Sequence, residues 1–176
     1  FDEMKSNSLY TSDIADVKKF KISFSESERV RAFIKIQDGC DYSCSFCTIP
    51  MARGISRSAT VSEVIDVVKT LESKGFKEIV LSGINIGDFK NSLDENLLKL
   101  LIRLDKETYI PRIRISSIEP NLLSEEIINF LSDRKRFLPH LHIPMQSGSD
   151  RILKLMKRRY TKNHYISKIK LIKRKI

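Results

Sequence analysis

Residues 39–47 read GCDYSCSFC and follow directly on a short apolar segment. This loop holds every cysteine of the 176-residue chain, at Cys40, Cys44 and Cys47. An odd number of cysteines cannot form a self-contained disulfide framework. A structural zinc site takes four ligands, but the chain has no fourth cysteine and its first histidine is His140. Iron–sulfur chemistry fits better, because a cubane cluster held by three thiolates leaves one iron open to a small molecule.

Four apolar segments are predicted to be strands, and an amphipathic helical pattern follows each of them. The strand segments are residues 32–36, 78–81, 112–116 and 140–143. Helix N-caps are predicted at Thr60 and Ser92, each with a glutamate three residues later, and at Ser124 and Ser149. Consecutive strand–helix units imply parallel strands joined by right-handed crossovers. A complete barrel needs about 250 residues, so the chain is predicted to be an α/β protein that forms a partial (β/α) barrel with outer helices.

Polar side chains share one face of these predicted strands, because residues two apart point the same way. They are Lys35, Gln37, Arg112, Arg114, Ser116, His140 and His142. A parallel strand that is covered on both faces is usually apolar throughout. A solvent-exposed face is one interpretation. We favour a polar cavity that holds a charged ligand, because the isoleucines and leucines of the other face give the helices a packing surface.

The positive charge is concentrated at the end of the sequence. The net charge is +10, and residues 151–176 hold eleven lysines and arginines but no acidic residue. The segment could be a solvated helix face or could bind a polyanion. No apolar run of 18 residues is present and no secretory leader opens the sequence, so we expect a cytoplasmic protein without a membrane partner. Residues 1–30 are predicted to be a lead-in to a core over residues 31–176.

Further motifs identify the family that the sequence resembles. They are KIQDGCDYSCSFCTIPMARGISRS (residues 35–58), LSGINIGDF (81–89), RISSIEP (114–120) and HLHIPMQSGSDRILKLMKRRYT (140–161). Together they are similar to the radical S-adenosylmethionine methylthiotransferases. The pattern is most like the members that act on N6-threonylcarbamoyladenosine in tRNA. Siblings that act on isopentenyladenosine in tRNA or on a ribosomal-protein aspartate are alternatives, and so is a non-catalytic module that binds zinc and RNA.

The resemblance implies a cofactor set and residues that hold it. Cys40, Cys44 and Cys47 would each bind one iron of a 4Fe–4S cluster, and the fourth iron would bind S-adenosylmethionine. One electron would cleave this cofactor to a 5′-deoxyadenosyl radical that takes a hydrogen atom from the substrate. The cofactor contacts are expected at Phe46, Gly83, Asn85, Ser116, Ser117, Glu119 and Gln146. No catalytic residue is assigned, because hydrogen abstraction by a radical needs no general base.

Basic residues are the candidates for contacts with the substrate or tRNA. Arg53 and Arg57 could bind a phosphate or the carboxyl group of a threonylcarbamoyl adduct, although a surface arginine is an equal interpretation for each. Lys157, Arg158 and Arg159 are expected to contact tRNA.

The resemblance also implies partners outside this sequence. Family members carry a second 4Fe–4S cluster in a preceding domain and a small RNA-binding β-barrel at the end, and an electron donor of unknown identity serves them. We therefore expect this chain to be a core segment that does not insert sulfur by itself.

Overall fold

The structure, a computed structural model, describes residues 13–17, 19–25 and 31–176. The strands are β1 (Ser23–Ser25), β2 (Arg31–Lys35), β3 (Gln37–Asp38), β4 (Arg57–Ser58), β5 (Glu78–Ser82) and β6 (Arg112–Ile115). The α-helices are α1 (Ile49–Arg53), α2 (Val61–Ser73), α3 (Leu97–Glu107), α4 (Glu125–Ser132), α5 (Asp150–Leu155) and α6 (Lys162–Lys175). Two short 3₁₀ helices span Ile14–Asp16 and Ile86–Asp88.

The main sheet confirms three of the four predicted strands. Its order is β1-β2-β5-β6, and β2, β5 and β6 run parallel. Strand β1 pairs antiparallel with β2, although it lies in the segment that the sequence pattern predicts to be a lead-in. The crossovers between the parallel strands contain α2 and α3, as the alternation of patterns predicts.

The fourth predicted strand, over residues 140–143, is wrong. This part of the chain runs beside β6 but makes only two isolated parallel bridges, from Ile113 to Phe137 and from Ser117 to His142. Pro139 and Pro144 flank the segment. Because proline has no backbone N–H to donate, a continuous ladder of hydrogen bonds cannot form there.

Helices α2, α3 and α4 cover the apolar face of the sheet. Their buried residues recur at helical spacing and pack against alternate residues of the strands. The buried members on the helices are Val61, Val64, Ile65, Val68, Leu71, Leu97, Leu100, Leu101, Leu104, Ile127, Ile128 and Leu131. Helix α6 has no fully buried residue, and none of the helices described is long and apolar enough to span a membrane.

The predicted helix caps are confirmed at two positions. Thr60 forms the full capping box with Glu63, and the Ser124 hydroxyl accepts a hydrogen bond from the Ile127 N–H. Ser149 occupies the N-cap of α5 but makes no capping bond through its side chain.

The capping box predicted at Ser92 is wrong. Asn96 caps α3, and Glu95 instead accepts a hydrogen bond from Val61 N–H in the first turn of α2, at 2.8 Å. Asn96 competes well for the cap because its short amide reaches the free N–H groups of the first turn.

A carboxylate stabilises the polar face at the amino ends of the strands. Glu78, the first residue of β5, is 6% exposed and forms ion pairs with Arg31, Arg112 and Arg114 at 2.6, 2.8 and 2.9 Å. Burial alone would raise its pKa, but hydrogen bonds from Arg112 and Arg114 and the charge of Arg31 lower the pKa of Glu78 below its usual value.

A tight turn before Cys40 sets the path of the cysteine loop. Strands β3 and β4 pair antiparallel and so bring the two ends of the loop together. Gly39 has φ +71°, and a Cβ atom there would lie 2.0 Å from the carbonyl oxygen of Ile55. Only glycine fits this position, because the backbone conformation and the close approach both exclude a side chain.

We expect Gly39→Ala to destabilise the protein by more than about 2 kcal/mol, because the new methyl group collides with backbone that cannot move independently. Gly75→Ala is the matched control. Gly75 also has positive φ, at +84°, but nothing lies within 4 Å of the added Cβ. It should cost only about 1 kcal/mol. Urea denaturation measures both, and equal losses would contradict the steric argument.

We expect Glu78→Gln to lower the free energy of unfolding at neutral pH by about 2 kcal/mol, since three arginines lose their shared carboxylate. The folded-state pKa of Glu78 is lowered, so its contribution is present above the ordinary glutamate pKa and disappears as the pH falls through the folded value. The difference between wild type and variant should therefore shrink in acid.

Denaturation at several pH values tests this expectation. Glu107→Gln, which removes the exposed pair between Glu107 and Arg103, is the control and should change stability far less. A constant difference between wild type and Glu78→Gln across the acid range would show that the carboxylate charge is not the stabilising feature.

Candidate metal centre

The cysteine loop lies at the carboxyl ends of the parallel strands. Cys40 follows β3, and its N–H donates to the Gly54 carbonyl at 3.1 Å. Cys44 and Cys47 are joined by a backbone hydrogen bond of 3.1 Å, and α1 begins two residues after Cys47. All three thiols are partly accessible and none forms a disulfide. The loop therefore presents the thiols at the edge of the sheet where ligands of parallel α/β proteins bind.

The side-chain amide of Gln37 connects this loop to the neighbouring strand. Gln37 is fully buried, and its Nε2 lies 2.8 Å from the Gly39 carbonyl and 2.9 Å from the Ser56 hydroxyl. Its Oε1 accepts a hydrogen bond from the N–H of Asn85, at 3.0 Å. One side chain thus fixes both ends of the cysteine loop against the segment that follows β5.

Asp38 and Arg57 brace the loop from outside. The Asp38 carboxylate accepts hydrogen bonds from the Gly39 N–H at 2.9 Å and from Lys35 Nζ at 2.7 Å. Arg57 donates to the carbonyls of Arg53 and Ile55, at 2.6 and 3.2 Å, and lies 3.4 Å from Asp38. Because its donors serve the loop, Arg57 has a structural role here, whereas the Arg53 side chain is 55% exposed.

A cavity of about 170 Å³ opens beside the three thiols. It is lined by Cys40, Tyr42, Cys44, Phe46, Cys47, Ile49, Ile84, Asn85, Glu119 and Arg158. Asn85 follows β5 and Glu119 follows β6, so consecutive strands each deliver a polar group to it.

Two of these polar groups have unused hydrogen-bonding atoms. Asn85 Nδ2 and Glu119 Oε2 are buried and have no hydrogen-bond partner. Buried polar atoms are normally paired, so a donor and an acceptor left open in one cavity fit a ligand with complementary groups. S-adenosylmethionine carries such groups in its amino acid and ribose parts. The residues therefore fit both parts of the implied cofactor set, with the thiols for iron and the polar pair for the cofactor.

The arrangement of the thiols bears on the kind of metal site. Over the described ranges 13–17, 19–25 and 31–176, no three His, Cys, Asp or Glu side chains are close enough to share one metal ion. A cubane requires no such convergence, because each thiolate binds a different iron.

Burial raises the pKa of the Cys40 thiol and that of the Cys44 thiol. At Cys44 the positive charge of Arg158 partly offsets this rise in pKa. Loading with iron must therefore release protons from these thiols.

The segment between α5 and α6 closes over the cysteine loop. The Ser45 N–H donates to the Met156 carbonyl at 3.4 Å. The guanidinium of Arg158 lies 2.8 Å from Glu119 Oε1 and 5.3 Å from the centre of the Phe46 ring. Arg158, one of the three basic residues predicted to contact tRNA, thus lines the cavity instead.

The three basic residues of this segment differ in their surroundings. The Arg158 side chain is only 6% exposed, so it is not available to an RNA phosphate. Arg159 donates to the Asp41 carbonyl at 2.9 Å and stacks on Tyr42 at 3.9 Å, although it stays exposed. Lys157 is exposed, with φ +56° at the turn that ends α5.

The predicted cofactor contacts separate into two groups. Phe46, Asn85 and Glu119 come together with the thiols in the cavity. The Ser116 hydroxyl is buried and unpaired, and the Ser117 carbonyl accepts from Ile86 N–H at 3.2 Å. Gln146 is exposed, with φ +62°.

A second cavity, of about 290 Å³, adjoins the first, and Ile84 lines both. Its other lining residues are Lys35, Gln37, Asp38, Arg53, Ser82 and Gly83. A Cβ atom at Gly83 would lie 2.8 Å from Gln37 Oε1, so the glycine lets the backbone approach the buried amide. This cavity places two cations beside the cysteine site.

Tyr42 is a lining residue that the sequence patterns did not single out. It is 4% exposed, and its hydroxyl accepts from Asn121 Nδ2 at 2.7 Å. Burial raises its pKa, so the phenol stays neutral. Its position in the sequence, between Cys40 and Cys44, was the signal that could have identified it.

Several curated relatives of this chain are named as tRNA-modifying enzymes. The chain is 43% identical over 150 residues to the threonylcarbamoyladenosine tRNA methylthiotransferase MtaB of Bacillus subtilis, which covers 84% of this chain and 33% of that protein. It is 34% identical over 164 residues to the tRNA-2-methylthio-N(6)-dimethylallyladenosine synthase of Thermodesulfovibrio yellowstonii, covering 93% of this chain and 38% of that one. The chain thus spans about a third of the length of these relatives.

Solved structures support the fold. The radical S-adenosylmethionine methyltransferase TsrM of Kitasatospora setae superimposes with a TM-score of 0.63 at 18% identity, over 81% of this chain and 28% of that one. The cobalamin-dependent S-adenosylmethionine radical enzyme OxsB gives a TM-score of 0.62 at 16% identity, over 80% of this chain and 22% of that one.

The resemblance drawn from the motifs is therefore confirmed. The family model described as the radical SAM superfamily matches residues 34–176, which include the cysteine loop and every strand from β3 onward. With that match, the partial parallel sheet and the three thiols in one cavity, the chain belongs to the radical SAM superfamily.

Proposed function

We propose that this chain is the cluster-binding core of a tRNA methylthiotransferase that modifies C2 of N6-threonylcarbamoyladenosine. One observation carries the proposal: three thiols, an unpaired amide nitrogen and an unpaired carboxylate oxygen line one cavity at the carboxyl ends of parallel strands. The relatives at 37–43% identity with the threonylcarbamoyladenosine name support the substrate class.

Five of the lining residues have a role in this proposal. Cys40, Cys44 and Cys47 hold a 4Fe–4S cluster, and Asn85 and Glu119 bind polar groups of S-adenosylmethionine. The bound cofactors supply the one-electron chemistry that removes a hydrogen atom from the substrate. The protein positions them and limits access of water.

The other predicted contacts are more exposed or lie outside the lining of the cysteine cavity. Phe46 is 56% exposed at the rim, where its ring can cover the adenosyl group. Ser116 and Ser117 follow the end of β6, Gln146 lies in the irregular segment before α5, and Gly83 lines the second cavity. We retain these four as proposed cofactor contacts.

The second cavity favours a substrate that carries a carboxylate. Lys35 Nζ and Arg53 line it, and both side chains are more than one-third exposed. Asp38 is the single acidic residue among its lining residues, and it lies 2.7 Å from Lys35 Nζ and 4.0 Å from Arg53 Nη1, so the three charges together leave the cavity positive. The threonylcarbamoyl group ends in a carboxylate, whereas the dimethylallyl group has no charge. Arg binds carboxylates through two parallel hydrogen bonds, so Arg53 is suited to this task.

The dimethylallyl-specific activity is the second candidate. It is favoured by the relatives that have that name, at 34–39% identity. The apolar Ile84 between the two cavities could contact such a group.

The proposed partners follow from the substrate. tRNA binds through phosphates, and the exposed lysines and arginines of residues 151–176 form the surface for it. The complete protein would also use an electron donor, a second 4Fe–4S cluster in a preceding domain, and a cytoplasmic location where tRNA is found. A non-catalytic module that binds zinc and RNA remains the alternative, and analysis of the bound metal distinguishes it from the enzyme core.

We expect Cys44→Ala to abolish binding of the 4Fe–4S cluster by the cysteine loop, because two thiolates cannot hold the cubane. Anaerobic reconstitution with iron and sulfide measures it through iron content and the visible absorbance of the site. Ser43→Ala is the matched control, since Ser43 is exposed in the same loop and should leave iron uptake unchanged. Both substitutions are made in a protein whose ligands to any second cluster have been removed, so that the iron measured belongs to the cysteine loop alone.

One tightly bound zinc per site, with no colour in the wild-type protein, would overturn the enzyme proposal. It would instead support the module.

We expect the Lys35→Gln and Arg53→Gln double variant to lose about tenfold or more in affinity for threonylcarbamoyladenosine tRNA, because two cations that face its carboxylate are removed. S-adenosylmethionine affinity should stay unchanged. Binding of tRNA with an isopentenyladenosine group is the control. The second candidate would be favoured if the wild-type protein bound isopentenyladenosine tRNA more tightly and the double variant kept this preference.

A further inference from the structure

A groove separates the start of α4 from one side of α6. Its volume is about 510 Å³, which exceeds that of either cavity beside the cysteine loop. Glu125 of α4 lines one wall, and the other wall is formed by His164, Ser167, Lys168, Lys170, Leu171 and Arg174 of α6. Residues three, four and seven apart share one face of a helix. The groove is therefore a strip that runs along a single face of α6.

The groove carries a net positive charge. Lys168, Lys170 and Arg174 contribute three cations, and Glu125 is the single acidic residue in the lining. None of these three cations forms a hydrogen bond or an ion pair with the part of the chain that the structure describes. The neighbouring Glu126 has its pKa lowered mainly by the N-cap serine hydroxyl and only to a lesser extent by the charge of Lys168. The donors of the groove therefore remain available to an anion.

One end of the groove adjoins the cysteine cavity. Helix α6 begins shortly after Arg158, which lines that cavity. In the first turn of α6, His164 Nε2 lies 3.5 Å from the carbonyl oxygen of Pro120, the residue that follows Glu119 of the cavity. The helix rises about 15 Å between His164 and Arg174. The groove thus leads from the edge of the cysteine cavity along an exposed helix.

This arrangement fits an extended polyanion better than a single ion, because its cations are spread along a strip. A strand of RNA presents one phosphate for each nucleotide, so successive cations can meet successive phosphates. The Ser167 hydroxyl can also donate to a phosphate oxygen, and Leu171 offers an apolar contact to a ribose.

We propose that the groove between α4 and α6 binds the sugar-phosphate backbone of the RNA strand that leads away from the modified nucleotide. This inference rests on the proposed function, which assigns tRNA to the basic segment as a whole. It restricts the phosphate contacts within α6 to one face, with Lys168, Lys170 and Arg174 as the cations. Lys162 and Lys173 lie on the opposite face of α6 and take no part in these contacts.

Filter binding of tRNA to the full-length protein at several salt concentrations tests the proposal. The Lys168→Gln and Arg174→Gln double variant should bind about tenfold or more weakly at low salt. The slope of log affinity against log salt should become shallower by about 1.4, because each phosphate contact of a single strand contributes about 0.7. The loss should be the same for tRNA with and without the threonylcarbamoyl group, since phosphate contacts do not distinguish the bases.

The matched control is the Lys162→Gln and Lys173→Gln double variant. It removes the same charge from the same helix, and both lysines are exposed outside the groove. Its affinity for tRNA and its salt dependence should stay close to those of the wild type. Urea denaturation should give the same midpoint for both double variants, because none of the four side chains makes a hydrogen bond or an ion pair within the described residues.

Two results would overturn the inference. Equal losses of tRNA affinity in the two double variants would show that binding depends on the total charge of α6 and not on the groove, and the proposed function would stand. An unchanged salt dependence in the groove variant would show that the groove contacts no phosphate. A wild-type protein that binds no tRNA would instead contradict the proposed function itself.

Discussion

The buried amide of Gln37 is the contact on which the geometry of the site depends. Its nitrogen reaches Gly39 and Ser56 at the two ends of the cysteine loop, and its oxygen holds the N–H of Asn85 after the next strand. A buried amide with unsatisfied groups is costly, so these bonds form together or not at all. The consequence is that the thiols and Asn85 have a fixed relation before any ligand is bound.

The main sheet and the cysteine loop could be predicted from the sequence because each depends on local signals. The apolar segments over residues 32–36, 78–81 and 112–116 have the spacing of strands, and all three are confirmed. The segment at 140–143 has the same spacing but fails, because the prolines beside it remove ladder donors. The apolar pattern of strand β1 is too weak to predict a strand, and β1 forms only because it pairs with β2.

The candidate site was only partly predictable, because charge patterns do not show which partner a side chain will meet. Arg114 belongs to the polar face that the sequence predicts, yet it pairs with Glu78, while Glu119 pairs with Arg158, which lies 39 residues away in the sequence. Arg57 likewise donates to the loop it follows. Spacing indicates a polar face or a basic segment, but a guanidinium with a long side chain selects its carboxylate only in the folded protein.

The two ends of the sheet have different roles: the contacts at the amino ends of the strands stabilise the fold, and the residues at the carboxyl ends form the candidate site. At the amino ends, Glu78 satisfies three arginines and its pKa is lowered, so the charges there are matched and the contacts are complete. At the carboxyl ends, burial raises the pKa of Glu119 and leaves one of its oxygens without a partner. The same residue type thus stabilises the sheet at one end and remains available at the other. An incompletely satisfied buried group destabilises the fold slightly, and the contacts around Glu78 allow the protein to tolerate it where a ligand can complete the site.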